Sequence, residues 1–225
     1  LLWNASVDTP AKTTTASLSF VTAGAIGKGG FIDVALPADG WSMPLSPSVA
    51  LSSTAANKTS VGASAMWTGA QRTLSITVGR SVSAGEALTL SVVGVVTPRS
   101  ERSAGSGQIT TRDVTKSVID GPTAFSTEAI SAGALGGALT WIPAAATPGV
   151  TSSSTLSFIA GGSIEVGGAI KVALPLAGWK MASAVPNIVF KQPSSLVLGA
   201  GAWNSATAVL TVVVHARGIV EGEAV

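Results

Sequence analysis

Apolar and polar residues alternate along most of the chain. Residues 73–78 read TLSITV and residues 209–214 read VLTVVV, so every second position in each segment is apolar. This spacing is typical of a strand with one face packed inward, and in residues 73–78 the opposite face carries Ser and Thr. No stretch keeps the i, i+3, i+4 spacing of an amphipathic helix for long. The pattern therefore predicts an all-β chain.

Turn residues divide the chain into short strands. Gly29-Gly30, Thr68-Gly69 and Gly167-Gly168 mark tight reversals between β-branched segments. The predicted strands are Ala16–Thr22, Phe31–Leu36, Ser48–Ser52, Ala63–Trp67, Arg72–Val78, Ala87–Val96, Gly107–Asp113 and Lys116–Ile119. Short strands with frequent turns favour an antiparallel sandwich.

The sequence holds about one and a half copies of one unit. Residues 13–41 read TTTASLSFVTAGAIGKGGFIDVALPADGW, and residues 151–179 read TSSSTLSFIAGGSIEVGGAIKVALPLAGW, at an offset of 138 positions. The second copy stops at Val225, opposite Leu88, so the counterpart of residues 89–138 is missing from it. The six tryptophans form three repeated pairs: Trp3 with Trp141, Trp41 with Trp179, and Trp67 with Trp203.

The repeat predicts two tandem antiparallel, immunoglobulin-like β-sandwich modules, residues 1–143 and residues 144–225. Residues 144–154, AAATPGVTSSS, are predicted to form a short and moderately stiff joint. The second module is incomplete at its C-terminus, and a sandwich without its last strands has open edges. We expect that the natural chain continues beyond Val225; the alternative is that a neighbouring molecule completes the module.

The composition offers little for catalysis or nucleic-acid binding. The 225 residues include no Cys, one His and 11% charged residues, with a formal net charge of +2. The lack of Cys rules out thiolate metal sites and disulfides within this sequence. A near-balanced charge without clustered Lys and Arg argues against nucleic acid as a partner.

No membrane-spanning segment is predicted. The stretch between Glu128 and Glu165 carries no charge, but Pro143, Pro148 and several glycines interrupt it. A spanning helix needs about 20 predominantly apolar residues without such breaks.

Candidate catalytic residues are sparse. His215 corresponds to about Gly79 in the first copy, and the nucleophile motif G-x-S-x-G does not occur in the sequence. The carboxylates are scattered, and Asp33 is replaced by Lys171 in the second copy. We therefore predict no catalytic, cofactor-binding or metal-ligating residues, and no enzymatic activity.

The tryptophans and two asparagines are the remaining candidates. Trp3, Trp41, Trp67, Trp141, Trp179 and Trp203 are predicted to be packing anchors, with stacking on sugar rings as the alternative. Asn4 and Asn57 satisfy the pattern for N-glycosylation, and Asn57 is the better acceptor because it lies in a predicted loop.

The motif shared by the two copies, S/T-L-S-F-x-x-x-G-x-I-x-x-G-G-x-I-x-V-x-L-P-x-x-G-W, resembles tandem β-sandwich repeats of very large extracellular proteins of microbes and protists. Such repeats are similar to adhesin stalks and other immunoglobulin-like modules. The resemblance implies secretion to the cell surface and a rod or filament architecture. We expect a structural repeat of an extracellular fibre, with copies of itself or adjacent modules and possibly glycans as partners. The alternative is an adhesin or carbohydrate-binding repeat.

Overall fold

The computed structural model describes residues 1–53, 60–192 and 199–225. Within these ranges the chain forms strands β1 to β14 and no helix, which confirms the all-β prediction. The first nine strands are β1 Leu2–Ala5, β2 Thr13–Val21, β3 Phe31–Ala35, β4 Ser48–Ser53, β5 Ala63–Thr68, β6 Thr73–Val78, β7 Ala87–Val96, β8 Ser106–Arg112 and β9 Val118–Thr127. The others are β10 Gly136–Pro143, β11 Ser154–Ile159, β12 Ala169–Ala173, β13 Gly199–Asn204 and β14 Val209–Val214.

The chain divides into two compact units, Leu1–Ala132 and Gly133–Val225. The boundary lies before β10, whereas the sequence predicts it after residue 143. The reason is that β10 pairs with β11 in antiparallel register, with Pro143 opposite Ser154. Residues 144–153 thus form the loop of the β10-β11 hairpin within the second unit.

The first unit is a β-sandwich made of two antiparallel groups of strands, which are joined by one parallel pair, β1 and β9. Its strands follow the order β4-β7-β2-β1-β9-β8-β3-β6-β5, and neighbours are antiparallel except β1 and β9. The parallel pair places Leu2 opposite Ser126 and Trp3 opposite Thr127. The inward side chains of both groups form one apolar core.

The apolar residues that alternate with polar ones in the sequence are the buried residues of the sandwich. In β6 the side chains of Leu74, Ile76 and Val78 are buried, while the Ser and Thr between them are partly exposed. Leu18 of β2 and Leu90 of β7 lie opposite each other and are both fully buried. Full burial of such a side chain contributes about 1.5–3 kcal/mol relative to exposure.

The alternation of apolar and polar residues does not predict β1, and it predicts only the beginning of β9. β1 has only four residues, too few to show a period, and it is held by β2 and β9 on its two sides. β9 runs on to Thr127, well beyond the predicted Ile119, although Gly121 and Pro122 would normally end a strand. Its pairing with β8 shifts register around Ile109, which accommodates these two residues.

The second unit repeats part of the first in the same register. The hairpin β10-β11 corresponds to β1-β2, and the sheet β12-β14-β13 corresponds to β3-β6-β5. Three cross-strand pairs show the correspondence: Trp3–Leu18 recurs as Trp141–Leu156, Ile32–Ile76 as Ile170–Val212, and Trp67–Leu74 as Trp203–Leu210. Counterparts of β7, β8 and β9 are not among the strands described for this unit.

Substitution of equivalent leucines tests how much more the buried core of the first unit contributes to stability than the open face of the second. Leu18 is fully buried, whereas its counterpart Leu156 is only partly buried. We expect Leu18→Ala to lower the free energy of unfolding of the first unit by about 2–5 kcal/mol, because it leaves a cavity in a closed core. Leu156→Ala should lower the free energy of unfolding of the second unit by only about 1 kcal/mol, because the Leu156 side chain buries less apolar surface.

Hydrogen exchange of amides in β6 and β14 measures the two effects separately in one chain. Equal losses in the two units would contradict the difference in packing described here.

Candidate functional site

One pair of indole rings has the same geometry in both units. The ring centroids of Trp3 and Trp41 lie 6.4 Å apart at an interplanar angle of 84°. Those of Trp141 and Trp179 lie 6.0 Å apart, also at 84°. This edge-to-face arrangement is a favoured contact between aromatic rings.

The exposure of the indoles differs between the units. Trp3, Trp41 and Trp67 have 0%, 4% and 5% of their surface exposed, so no ring face is open to a sugar in the first unit. The second-unit counterparts, Trp141, Trp179 and Trp203, are partly exposed. The indole N–H groups of Trp3, Trp41 and Trp141 are buried without an acceptor among the described protein atoms, so these rings contribute through apolar packing.

An ion pair spans the turn after β6 in the first unit. The Nη2 atom of Arg80 lies 2.7 Å from Oε1 of Glu86, and the backbone N–H of Ser83 donates to Oε2 of Glu86 at 2.9 Å. We call this arrangement the Arg–Glu clasp. It holds the chain where it leaves β6 and enters β7.

The clasp recurs in the second unit with different neighbours. Arg217 pairs with Glu223, and the backbone N–H of Val220 donates to Oε2 of Glu223 at 2.9 Å. The hydrogen bond from the Arg217 guanidinium lowers the pKa of Glu223, and the carboxylate in turn raises the pKa of Arg217. The clasp therefore belongs to the repeated part of the structure.

Glu86 shows the larger electrostatic effect. The hydrogen bond from Arg80, followed by that from the Ser83 amide, lowers the pKa of Glu86 from its usual 4.5 to about 2. The two donors hold this carboxylate in its charged form at neutral pH, where it connects Arg80 to the turn at Ser83.

A second charged cluster lies on the outer face of the sheet in the first unit. The carboxylate of Asp33 accepts a hydrogen bond from Ser75 at 2.7 Å and from Nε of Arg112 at 2.8 Å. The corresponding pair of residues in the second unit is Lys171 opposite Thr211. The repeat thus keeps the strands and changes the polar groups on their outer faces.

Asp120 links two parts of the first unit. Its carboxylate accepts hydrogen bonds from the Gly24 amide at 2.8 Å, the Ala23 amide at 3.2 Å and the Thr111 hydroxyl at 2.9 Å. With both oxygens engaged, this carboxylate fastens the loop after β2 to strands β8 and β9.

The candidate histidine and the acidic side chains lie apart from one another in the ranges that the structure describes. His215 is exposed just after β14. Groups of three or more His, Cys, Asp or Glu side chains that could hold a metal ion are not found in the described part of the chain. Nor do the described residues include a helix long and apolar enough to cross a membrane.

The predicted acceptor Asn4 is exposed in β1, where its backbone lies opposite Ser17. The Ser6 hydroxyl of the same sequon hydrogen-bonds to the Thr14 hydroxyl at 2.7 Å. Asn57 lies outside the described residues.

The second unit contains an open groove of about 1400 Å³. We call it the strand groove. Its apolar lining comes from the inward faces of β11, β12 and β14: Leu156, Phe158, Ile170, Val172, Leu210 and Val212. In the first unit the equivalent face of the sheet is covered by a closed core.

One end of the groove carries the beginning of a strand ladder. The Phe158 amide donates to the Val225 carbonyl at 3.0 Å, and the Val225 amide donates to the Phe158 carbonyl at 2.9 Å. In the first unit Phe20 and Leu88 are opposite each other in the same way. Residues 223–225 therefore start along the path of β7.

Comparisons with known proteins give two structural similarities. No protein-family model matches the sequence. No curated protein sequence matches it either. The major pilin subunit BcpA of Bacillus cereus is similar with a TM-score of 0.38 and 7% identity, over 92% of this chain and 51% of the pilin chain. This chain thus spans about half the length of that pilin.

The second similarity is to the type II cohesin dyad from the adaptor scaffoldin ScaA of Acetivibrio cellulolyticus. It has a TM-score of 0.21 and 10% identity, over 99% of this chain and 82% of the cohesin chain. Both TM-scores are below 0.5, so the fold assignment rests on the strand order and hydrogen bonds of this chain itself.

The clasp predicts a defined response to acid. The pKa of Glu86 is about 2 in the folded protein, whereas its usual value, which applies to the unfolded chain, is 4.5. The charged carboxylate therefore contributes fully to stability above pH 4.5, and this contribution is lost as the pH falls toward 2. Glu86→Gln should lower the free energy of unfolding of the first unit by about 1 kcal/mol at neutral pH. It should also flatten the loss of stability between pH 4.5 and 2.

Urea unfolding at a series of pH values measures this effect. Asp8→Asn is the control, because it removes one exposed carboxylate outside the clasp. An unchanged acid slope in Glu86→Gln would show that the clasp does not contribute to stability.

Proposed function

We propose that this chain is part of a structural repeat protein that builds an extracellular fibre or cell-surface filament from end-to-end β-sandwich modules. Its partners are further copies of itself or adjacent modules of the same kind. The role is mechanical: each module buries an apolar core, and repetition carries one geometry along an axis. The proposal includes no enzymatic activity and no cofactor.

The observation that carries the proposal is what the two copies keep in common. They share strand register, the edge-to-face indole pair and the Arg–Glu clasp. All of these features hold strands and turns in place. These are the features that a module needs when it is repeated only as a building unit.

The positions that differ between the copies support the same role. Asp33 forms a three-residue cluster with Ser75 and Arg112, while the equivalent position is Lys171. His215 has no histidine counterpart in the first copy. Repeated catalytic or metal sites would require such polar residues to recur, because the chemistry depends on them.

Imaging of the native material tests the proposal. An antibody raised against residues 1–225 should label filaments or surface layers on the producing cells in immunogold electron microscopy, at a regular spacing along each filament. The same antibody pre-absorbed with the purified chain is the control. Label confined to monodisperse particles that do not assemble would contradict the proposal.

A second candidate is an adhesin or carbohydrate-binding repeat. It is favoured by one observation, the partly exposed Trp141 and Trp179 in the lining of the strand groove. If these rings bind sugars, oligosaccharide titration should change the tryptophan fluorescence, and Trp179→Leu should remove that change. A response that persists in Trp179→Leu, or none in the native chain, would eliminate this use of the groove.

A further inference from the structure

We propose that the parallel pair of β1 and β9 is the load-bearing element of the first unit. Tension along the chain shears this pair lengthwise, and the pair resists it. The inference deepens the proposed function, since it names the element that carries load in a fibre of such modules. It rests on that function only for its biological purpose, because resistance to force can be measured on single chains.

The order and direction of the strands decide how β1 and β9 are loaded. They are the first and last strands described for the first unit, they are direct neighbours, and they run in the same direction. A pull on the chain before β1 and after β9 therefore draws the two strands in opposite directions along their common axis. Because the hydrogen bonds of a parallel pair run across the strands, they share such a load. A pull across the strands would break them one after another.

The repeat supports this direction of loading. The counterpart of β1 in the second copy is β10, and the chain reaches β10 directly from residues 128–135, which follow β9. A β1-type strand is therefore entered from the end of the preceding β9-type strand. Successive copies in one chain would pass load from β9 of one module to the β1-type strand of the next.

Backbone hydrogen bonds tie the two segments together at both ends. The Ser126 amide donates to the Leu1 carbonyl at 3.0 Å, where load would enter β1. Beyond β9 the Ser131 amide donates to the Asp8 carbonyl at 2.9 Å, close to where load would leave the unit. The connection between the two segments thus extends beyond the four residues of β1.

The segment after β9 is fastened to the first unit up to Ala132. Ile130 exchanges two backbone hydrogen bonds with Arg102, at 2.8 and 3.0 Å, and its side chain is buried. The Ala132 amide donates to Oε1 of Glu101 at 3.0 Å. A pull at Ala132 must break these contacts before it can peel β9 away from its C-terminal end.

The side chain of Trp3 adds a barrier to sliding of β1 along β9. It is fully buried, and its ring centroid lies 6.4 Å from that of Phe125 in β9 and 6.4 Å from that of Trp41. Movement of β1 along its axis must withdraw this ring from closely packed surroundings. The resistance to shear therefore has a side-chain part as well as a backbone part.

The lack of Cys in the sequence allows force handles to be attached at chosen positions of the full 225-residue chain. Handles at Leu1→Cys and Ala132→Cys, both exposed positions, load the parallel pair lengthwise. Handles at Leu1→Cys and Val21→Cys load the adjoining ends of the antiparallel strands β1 and β2, and should peel these strands apart.

Optical tweezers measure the force at the first rupture in both geometries at the same loading rate. The lengthwise geometry should rupture at a force at least about twofold higher, because its hydrogen bonds break together. An equal or lower force in the lengthwise geometry would overturn the proposal.

Proline variants separate the parallel pair from general stability. Ser131→Pro removes the N–H that donates to the Asp8 carbonyl, at an exposed position. It should raise the unfolding rate at constant force about fivefold in the lengthwise geometry, and leave the rate in the peeling geometry unchanged. Ala129→Pro is the matched control, because it places the same ring at an exposed position of the same segment, two residues before the bonded amide.

Equal rates in the two proline variants under lengthwise load would contradict the role of the parallel pair. Urea unfolding of both variants shows whether either has lost its fold. The comparison of the two handle geometries needs neither variant, so the proposal is tested even if Ser131→Pro does not fold.

The load-bearing pair and the fibre function can fail separately. A higher rupture force in the lengthwise geometry, without filaments on the producing cells, would support the load-bearing pair and reject the fibre function. Filaments on the cells, together with equal rupture forces in the two geometries, would support the fibre function and overturn the load-bearing pair.

Discussion

The pairing of β2 with β7 is the interaction on which the first unit depends. It joins two strands that are far apart in the sequence, Thr13–Val21 and Ala87–Val96, and it also positions β4 at the edge of the sheet. The apolar residues of both strands point into the same core, so the ladder and the hydrophobic burial stabilise each other. In the second unit the equivalent inward faces of β11, β12 and β14 line the strand groove.

The comparison between the two units separates structural from chemical features. The indole pair keeps its angle and nearly its distance, although its rings are buried in one unit and partly exposed in the other. The geometry of that pair therefore follows from the hairpin and the adjoining strand-end segment and does not require a closed core. Polar groups such as Asp33 are free to change because they lie on the outer face of the sheets.

Charge has a small and local role in this protein. With 11% charged residues, few long-range fields can form, and the stabilising ion pairs tie turns and neighbouring strands together. The Arg–Glu clasp restrains the chain just before β7, so it favours entry of that strand into the sheet. An electrostatic contact thus supports the hydrophobic one on which the unit is built.

The sequence by itself determined the all-β class, most strand positions and the repeat, because period-two alternation and turn residues are local signals. It also identified the tryptophans as repeated positions. The four-residue β1, the extension of β9 through Gly121 and Pro122, and the role of residues 144–153 as a hairpin loop were decided by tertiary structure. The same is true of the strand groove and the clasp. Each depends on which distant segments become neighbours, and pairing between distant segments leaves no period in the sequence.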